Sequence, residues 1–498
     1  MEVKFVLIFF IILFLSVGCV DAADFDNLTH DDVLLIHNSS DESILSSSEF
    51  SLSGGSFDDV QSILNKADDG DTIYLDGEFY STDNSSLIKV KKSVNLVSNS
   101  GAVFNGRGQS GILYIYPTSV GTVVSGLTFV NGYRIIASAA YVDCQNVTFS
   151  NCVFENNTGF WNGGGAVATT YNPIDASGLS VEGCVFRGNT APVSSGALAA
   201  FSTDYKIVDC VFEGNYVANN MSQSNFGGAL VAGSSFEGVI GIVSRCTFRN
   251  NYAVSGNDEP SNGGAVDLRQ KATLVDCFFE GNFADNGGAI SCRGNNTVIN
   301  CTFKNNMGDY GGAVYINETT VIENSNFTRN NAHDGGAIHV NGSLSCYSSD
   351  FDVNIAILGG AVHVDGSLFC YSSEFKFNEA IFGGAIHVDG NLNCYSSDFE
   401  FNSANLGGAI HTLNSTGNFN KSIFNSNVAD FGAGIFNNGV LNIVLSSFYN
   451  NSALNGSAIY NNATLDVFDS SFSDNKACSY CINSSSNAPV KQGEDFDN

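Results

Sequence analysis

Four histidines recur in this chain at one fixed interval: His339, His363, His387 and His411. Aliphatic residues flank them, as in Ile338-His339-Val340 and Ile386-His387-Val388. In an extended strand the histidines therefore share one face and the aliphatics the other. The column begins at Asp267, Ser291 and Tyr315 and continues past the histidines to Phe436 and Tyr460. With Ile and Val turned to a core, it is expected to face solvent. Stacked imidazoles beside Asp365 and Asp389 could bind a metal, or form a positive stripe below about pH 6.5. A column of Tyr315 and His339 to His411 also suits a sugar or protein ligand. Copying of near-identical coils explains the column without any function. That reading is favoured over a metal site, and no metal or other cofactor is expected.

A second constellation is Asp267 with Arg269 and Lys271, near Asp258 and Glu259. Cleaving or epimerising a polysaccharide requires carboxylates a few ångströms apart, or a basic group beside a bound cation. The repeats hold little Arg or Lys, and no adjacent column reads as paired acids. The chain is therefore expected not to be an enzyme, with Asp267 and Arg269 the catalytic candidates if it is one. Phosphate-cradling Gly-rich loops, a Gly-x-Ser-x-Gly elbow and a His-Glu-x-x-His zinc motif are not found.

These residues are positioned by a repeat of about two dozen residues. Phe-x-x-Asn units run from Phe154 to Phe472, and from Phe279 onward their spacing is constant except for one step longer by a single residue. Most are followed by Gly-Gly-Ala and an aliphatic residue, as at Gly287, Gly311, Gly335 and Gly359. Apolar residues come in short period-two runs broken by Asn and Gly, which predicts short strands joined by tight bends. A lone strand of that length cannot bury its face, so coils must stack. The fold expected is all-β, a right-handed parallel β-helix with an N-terminal cap. Phe should form an interior stack. Asn should bend into the left-handed region and hydrogen-bond its counterparts in neighbouring coils. Two sets of cysteines, from Cys152 to Cys301 and from Cys346 to Cys394, read as small inward-facing residues. Cys478 and Cys481 read as a terminal clip.

Residues 1–22 read as an export signal and 23–55 as a flexible linker. Residues 56–143 read as a cap with irregular first coils, 144–482 as the repeat, and 483–498 as a polar tail. Insertions at Thr158–Asn162, Tyr216–Phe226 and Tyr252–Asn262 fall at one point of the coil. They should project from one edge, and the first carries Trp161, a candidate binding residue. With 50 acidic against 20 basic side chains the net charge is −30, which argues against nucleic acid and anionic membranes as partners.

The pairing of Phe-x-x-Asn with Gly-Gly-Ala-[Ile/Leu/Val] resembles the repeat of chlamydial polymorphic outer-membrane proteins. The wider layout more closely resembles the adhesin-like parallel β-helix surface proteins of methanogenic archaea. It includes Asp69-Gly70-Asp71-Thr72-Ile73-Tyr74-Leu75 and Gly126-Leu127-Thr128-Phe129-Val130-Asn131-Gly132. The resemblance implies a secreted or cell-surface adhesive role. The expected partner is an extracellular glycan or a surface protein of another cell, with no membrane insertion after signal removal. The alternative is a polysaccharide-active enzyme (lyase, hydrolase or epimerase) of the pectin-lyase-like fold.

Overall fold

In the computed structural model the described residues are 47–83, 87–160, 163–170, 178–201, 203–219, 224–233, 240–256, 259–478 and 496–497. The expected export signal, Trp161 and most of the polar tail lie outside them.

The backbone winds as a parallel β-helix of about 17 turns. At the spacing of stacked strands that makes a rod of ~80 Å. Each regular coil contributes one short strand to each of three parallel sheets. In one coil these are Ile338–Val340 (sheet 1), Ser343–Tyr347 (sheet 2) and Asp350–Asp352 (sheet 3), paired in register with Val362–Val364, Ser367–Tyr371 and Glu374–Lys376 of the next. Alternate residues point inward, so every coil feeds one core. It includes Val340, Leu344, Cys346 and Phe351, all 2 % exposed or less.

Phe154 to Phe472 form a continuous interior stack, with ring centroids of successive coils 4.4–5.0 Å apart. The spacing of the strands thus sets the spacing of the rings. Three residues after each Phe, the Asn side chains form the expected ladder. Asn330 Nδ2, for example, donates to Asn354 Oδ1 at 3.0 Å and to the Phe303 carbonyl at 3.0 Å. Its Oδ1 accepts from the backbone N–H and Nδ2 of Asn306. Buried turn amides are thereby satisfied coil after coil.

The left-handed conformation, however, belongs to the residue before the ladder Asn. It is taken by Asn156, Gly188, Gly281 and Asn305, but also by Val353 (φ 56°), Phe377 (φ 54°) and Phe401 (φ 55°). The ladder Asn must aim its amide into the solenoid, so its predecessor turns the chain.

Both cysteine sets are buried and unbridged. The first set lies at a bend, where the sulfur of one coil accepts the N–H of its neighbour, as from Cys152 N to Cys184 Sγ (3.4 Å). From Ser325 onward a serine hydroxyl takes over this acceptor role. Cys478 is disulfide-bonded; Cys481, the other half of the expected clip, lies outside the described residues.

The expected linker ends earlier than position 55. Glu49–Ser56 is a strand paired in parallel with Thr72–Tyr80. Ser56 then caps the helix Phe57–Leu64 through a reciprocal pair with Asp59, and Phe57, Val60 and Leu64 are buried against the core. The starts of the insertions stack as a small parallel sheet of their own, which includes Thr158–Gly159, Tyr216–Asn219 and Tyr252–Ser255.

Candidate functional site

The histidine column does not face solvent. His339, His363, His387 and His411 are 3–4 % exposed. Outside sheet 1, the bend that precedes each glycine pair folds back over the column. Its residues Tyr310, Asp334, Leu358, Phe382 and Leu406 pair from coil to coil. Tyr310 meets His339 edge-on at 5.3 Å, and Phe382 lies 5.5 Å from His411. The glycines permit this approach. At Gly335 (φ 67°) a Cβ would lie 2.1 Å from the Ile338 carbonyl oxygen, and at Gly336 2.1 Å from that of Gly360. The strand pattern shows only which face a residue takes. Whether that face is covered depends on the bend.

Within this second layer, His339 Nε2 lies 3.2 Å from Asp365, and His363 Nε2 lies 3.4 Å from Asp365 and 3.7 Å from Asp389. His363 Nδ1 is 3.9 Å from Asp334, and the Nδ1 atoms of His387 and His411 share a proton at 2.8 Å. Burial holds three of the imidazoles below the usual range: His363, His387 (to about 3) and His411 (to about 4). These three are therefore neutral across physiological pH, and the column does not form a positive stripe near pH 6. Tyr315 stacks on His339 at 5.4 Å and its hydroxyl accepts from Asn341.

Asp267 is wholly buried in the same column. Arg269 Nε donates to its Oδ2 at 2.8 Å and Arg293 Nε to its Oδ1 at 2.9 Å; Arg293 Nη2 bonds Oδ2 as well. Both guanidiniums lie over the Phe226 ring, at 4.4 and 4.7 Å. A carboxylate so enclosed, with both oxygens engaged, cannot reach a substrate. Asp267 positions two arginines, whose side chains keep 31 % and 28 % exposure. Arg293 was legible only through coil register, since it follows Cys292 as Arg269 follows Leu268 in the coil before.

Paired acids, expected to be lacking, are present on sheet 3. Asp350, Glu374 and Asp398 stack in register on its outer face, with Asp352, Lys376 and Glu400 beside them. Neighbouring rungs lie ~4.8 Å apart and alternate rungs ~10 Å apart. Lys376 binds Glu374 at 2.6 Å and approaches Glu400 at 3.8 Å. Partial burial raises the carboxyls of Asp350 and Asp398, and the neighbouring Glu374 raises both further. The ladder thus places carboxyls raised by burial directly beside other carboxyls.

Aromatic rings flank these acids on both sides. Phe377 and Phe401, in the left-handed positions one residue beyond Lys376 and Glu400, stack on each other at 5.0 Å while remaining 53 % and 45 % exposed. Across the other bend, sheet 2 carries a shallow groove of about 350 Å³ lined by Ser345, Phe369, Asn391, Asn393, Thr416 and Asn418, among others. Phe369 sits between Tyr347 (5.8 Å) and Tyr395 (5.5 Å). The sequence signal for this site was the replacement of the usual Gly or Asn before the ladder Asn by Phe.

The geometry agrees with the comparisons. Residues 174–356 match the family model for the right-handed β-helix region. The chain folds as a right-handed parallel β-helix. No curated protein matches the sequence. Among solved structures the chain is similar to a PL6 alginate lyase in complex with a trisaccharide (10 % identity, TM-score 0.37, covering 86 % of this chain and 85 % of that one). It is also similar to a mannuronic acid specific polysaccharide family 6 lyase from human gut microbiota (12 %, 0.29, 87 % and 88 %). A third is the A-module of the Azotobacter vinelandii mannuronan C-5 epimerase AlgE4 (9 %, 0.17, 84 % and 90 %). At these values the likeness concerns the winding of the chain. The expectation that the chain is not an enzyme is nevertheless corrected. Sheet 3 holds the adjacent acids whose supposed lack supported that expectation.

Proposed function

We propose that this is an extracellular polysaccharide-active protein that binds a neutral glycan across sheets 2 and 3 and cleaves it at the acid ladder Asp350–Glu374–Asp398. The observation that carries the reading is the Phe377–Phe401 stack. Two large apolar side chains are held exposed, in a backbone region that costs a non-glycine residue about 1–2 kcal/mol, directly beside carboxyls. Strain and exposed apolar surface at one place mark a ligand platform. The apolar face of a pyranose fits such rings, and the amides and hydroxyls of the sheet 2 groove match sugar hydroxyls. A raised carboxyl such as Asp398 can donate a proton to a glycosidic oxygen, with Glu374 and Glu400 beside it to supply the second carboxyl of the pair. The chain's net charge of −30 and the acids themselves repel polyuronates, which favours neutral substrates. Glycan recognition along the rod, expected of an adhesin, is the first step of this reading.

The test incubates the chain with neutral and acidic polysaccharides and follows their length. Expected are shortened neutral chains with an acidic pH optimum, because the donor must keep its proton. Asp398→Asn should lower the rate ~100-fold or more with retention of binding, and Phe377→Ala with Phe401→Ala should weaken binding ~10-fold. Shortening that persists in Asp398→Asn and Asp350→Asn, or no shortening of any glycan, overturns the reading.

A further inference from the structure

We infer that Asp334, His339 and His363 form a binding site for one first-row divalent metal ion of the zinc class. Each residue offers a ligand atom, and these atoms all lie within 4.8 Å of one another. A tetrahedral ion with bonds of ~2.0–2.1 Å needs ligand separations of about 3.3 Å, which small side-chain rotations supply.

A second and independent observation concerns unmet hydrogen-bonding capacity. The Nδ1 atoms of His339 and His363 are buried and have no hydrogen-bond partner. Leaving such groups buried and unpaired is costly, and an ion accepts both lone pairs at once.

The surroundings orient these atoms. Asp365 lies 3.2 Å from His339 Nε2. A proton on Nε2, held by that carboxylate, leaves the Nδ1 lone pair free, the usual outer-shell support of a metal-ligating imidazole. His333 supports Asp334 in turn, its Nδ1 lying 2.7 Å from Oδ1.

Coil duplication copies the histidines but not the carboxylate. The positions equivalent to Asp334 hold Tyr310, Leu358 and Phe382. Among the described residues of this series Asp334 is the one acid, and its carboxylate lies within 4.8 Å of a ring nitrogen of both His339 and His363. Two nitrogens and one carboxylate oxygen select zinc, cobalt, nickel or copper over calcium or magnesium, which take oxygen ligands.

The inference does not depend on the glycan reading, because the site lies outside sheet 1 and the acid ladder outside sheet 3. The test uses the full chain, stripped with EDTA and dialysed, titrated with Zn²⁺ by calorimetry and with Co²⁺ by visible absorption. Expected are one Zn²⁺ per chain at micromolar Kd or tighter, and an intense tetrahedral Co²⁺ spectrum. Asp334→Asn and His363→Asn should each weaken binding at least tenfold with unchanged far-UV circular dichroism. Glu374→Gln, outside this site, should leave binding unchanged. If the site variants fail to fold, the Co²⁺ spectrum of the unaltered chain decides. A weak octahedral spectrum, no saturable binding, or binding that survives both site variants overturns the proposal.

Discussion

At the scale of single residues, backbone conformation and burial override what residue type alone suggests. Val353, Phe377 and Phe401 occupy a left-handed position that most coils give to Gly, Asn or Asp. His363, His387 and His411 lie on the outer face of their strands, yet burial lowers them as it would core residues. His411 illustrates the consequence, since burial alone lowers it to about 4. An unfolded chain takes up a proton near pH 6.5 that the folded chain refuses until about pH 4. The stability tied to neutral His411 is therefore complete above pH 6.5 and is lost as pH falls toward 4. In EDTA-treated protein, His411→Phe should reduce the stability lost between pH 7.5 and pH 4.5, read from urea unfolding, by up to about 3 kcal/mol. Phe436 already fills the same column one coil later, so the ring is accommodated. An unchanged acid sensitivity in the variant would count against this account.

At the scale of elements, the Asn ladder joins coils that are otherwise independent strands. Removing one rung leaves three groups without that partner, while Asn354 Oδ1 loses one of its two donors and keeps the Asn330 N–H. In Asn330→Ala the Phe303 carbonyl loses its donor, and the backbone N–H and Nδ2 of Asn306 lose their acceptor. All are buried, so the cost is on the order of 3 kcal/mol. Chemical denaturation should show it as an earlier midpoint. A negligible change, below the net worth of a single hydrogen bond, would mean that water replaces the rung. Much of this level was legible in the sequence. Phe-x-x-Asn spacing gave the stack and the ladder, and Gly-Gly-Ala gave the bend, because each is a local rule repeated with a fixed period. The covering of the histidines was not legible. It depends on how far a bend, closed by glycines, leans onto the following strand.

At the scale of the whole molecule, each strand pairs only with the coils beside it, so the core is a single long file of side chains without a centre. The thiols from Cys144 to Cys394 are sealed inside this file, and burial pushes Cys144 and Cys292 up to about 12. A thiol reagent at pH 8 should leave these cysteines unmodified in folded protein and label all of them in guanidinium, as read by peptide mapping. Rapid labelling of Cys184 or Cys370 without denaturant would show that internal coils open readily.

The sequence by itself determined the solenoid, its short parallel strands and its interior columns, because a repeat converts position into register without any knowledge of distant contacts. Only the tertiary structure decided which outer columns are covered and which side chains become neighbours. Asp350, Glu374 and Asp398 are separated by a whole repeat at each step in the chain and become neighbours only when coils stack at strand spacing. The histidines are equally regular, yet the folded bend encloses them and sets Asp334 opposite two unpartnered nitrogens. Periodicity fixes the direction of a side chain along its strand, whereas its exposure, charge and partners are set by the turn that closes over it.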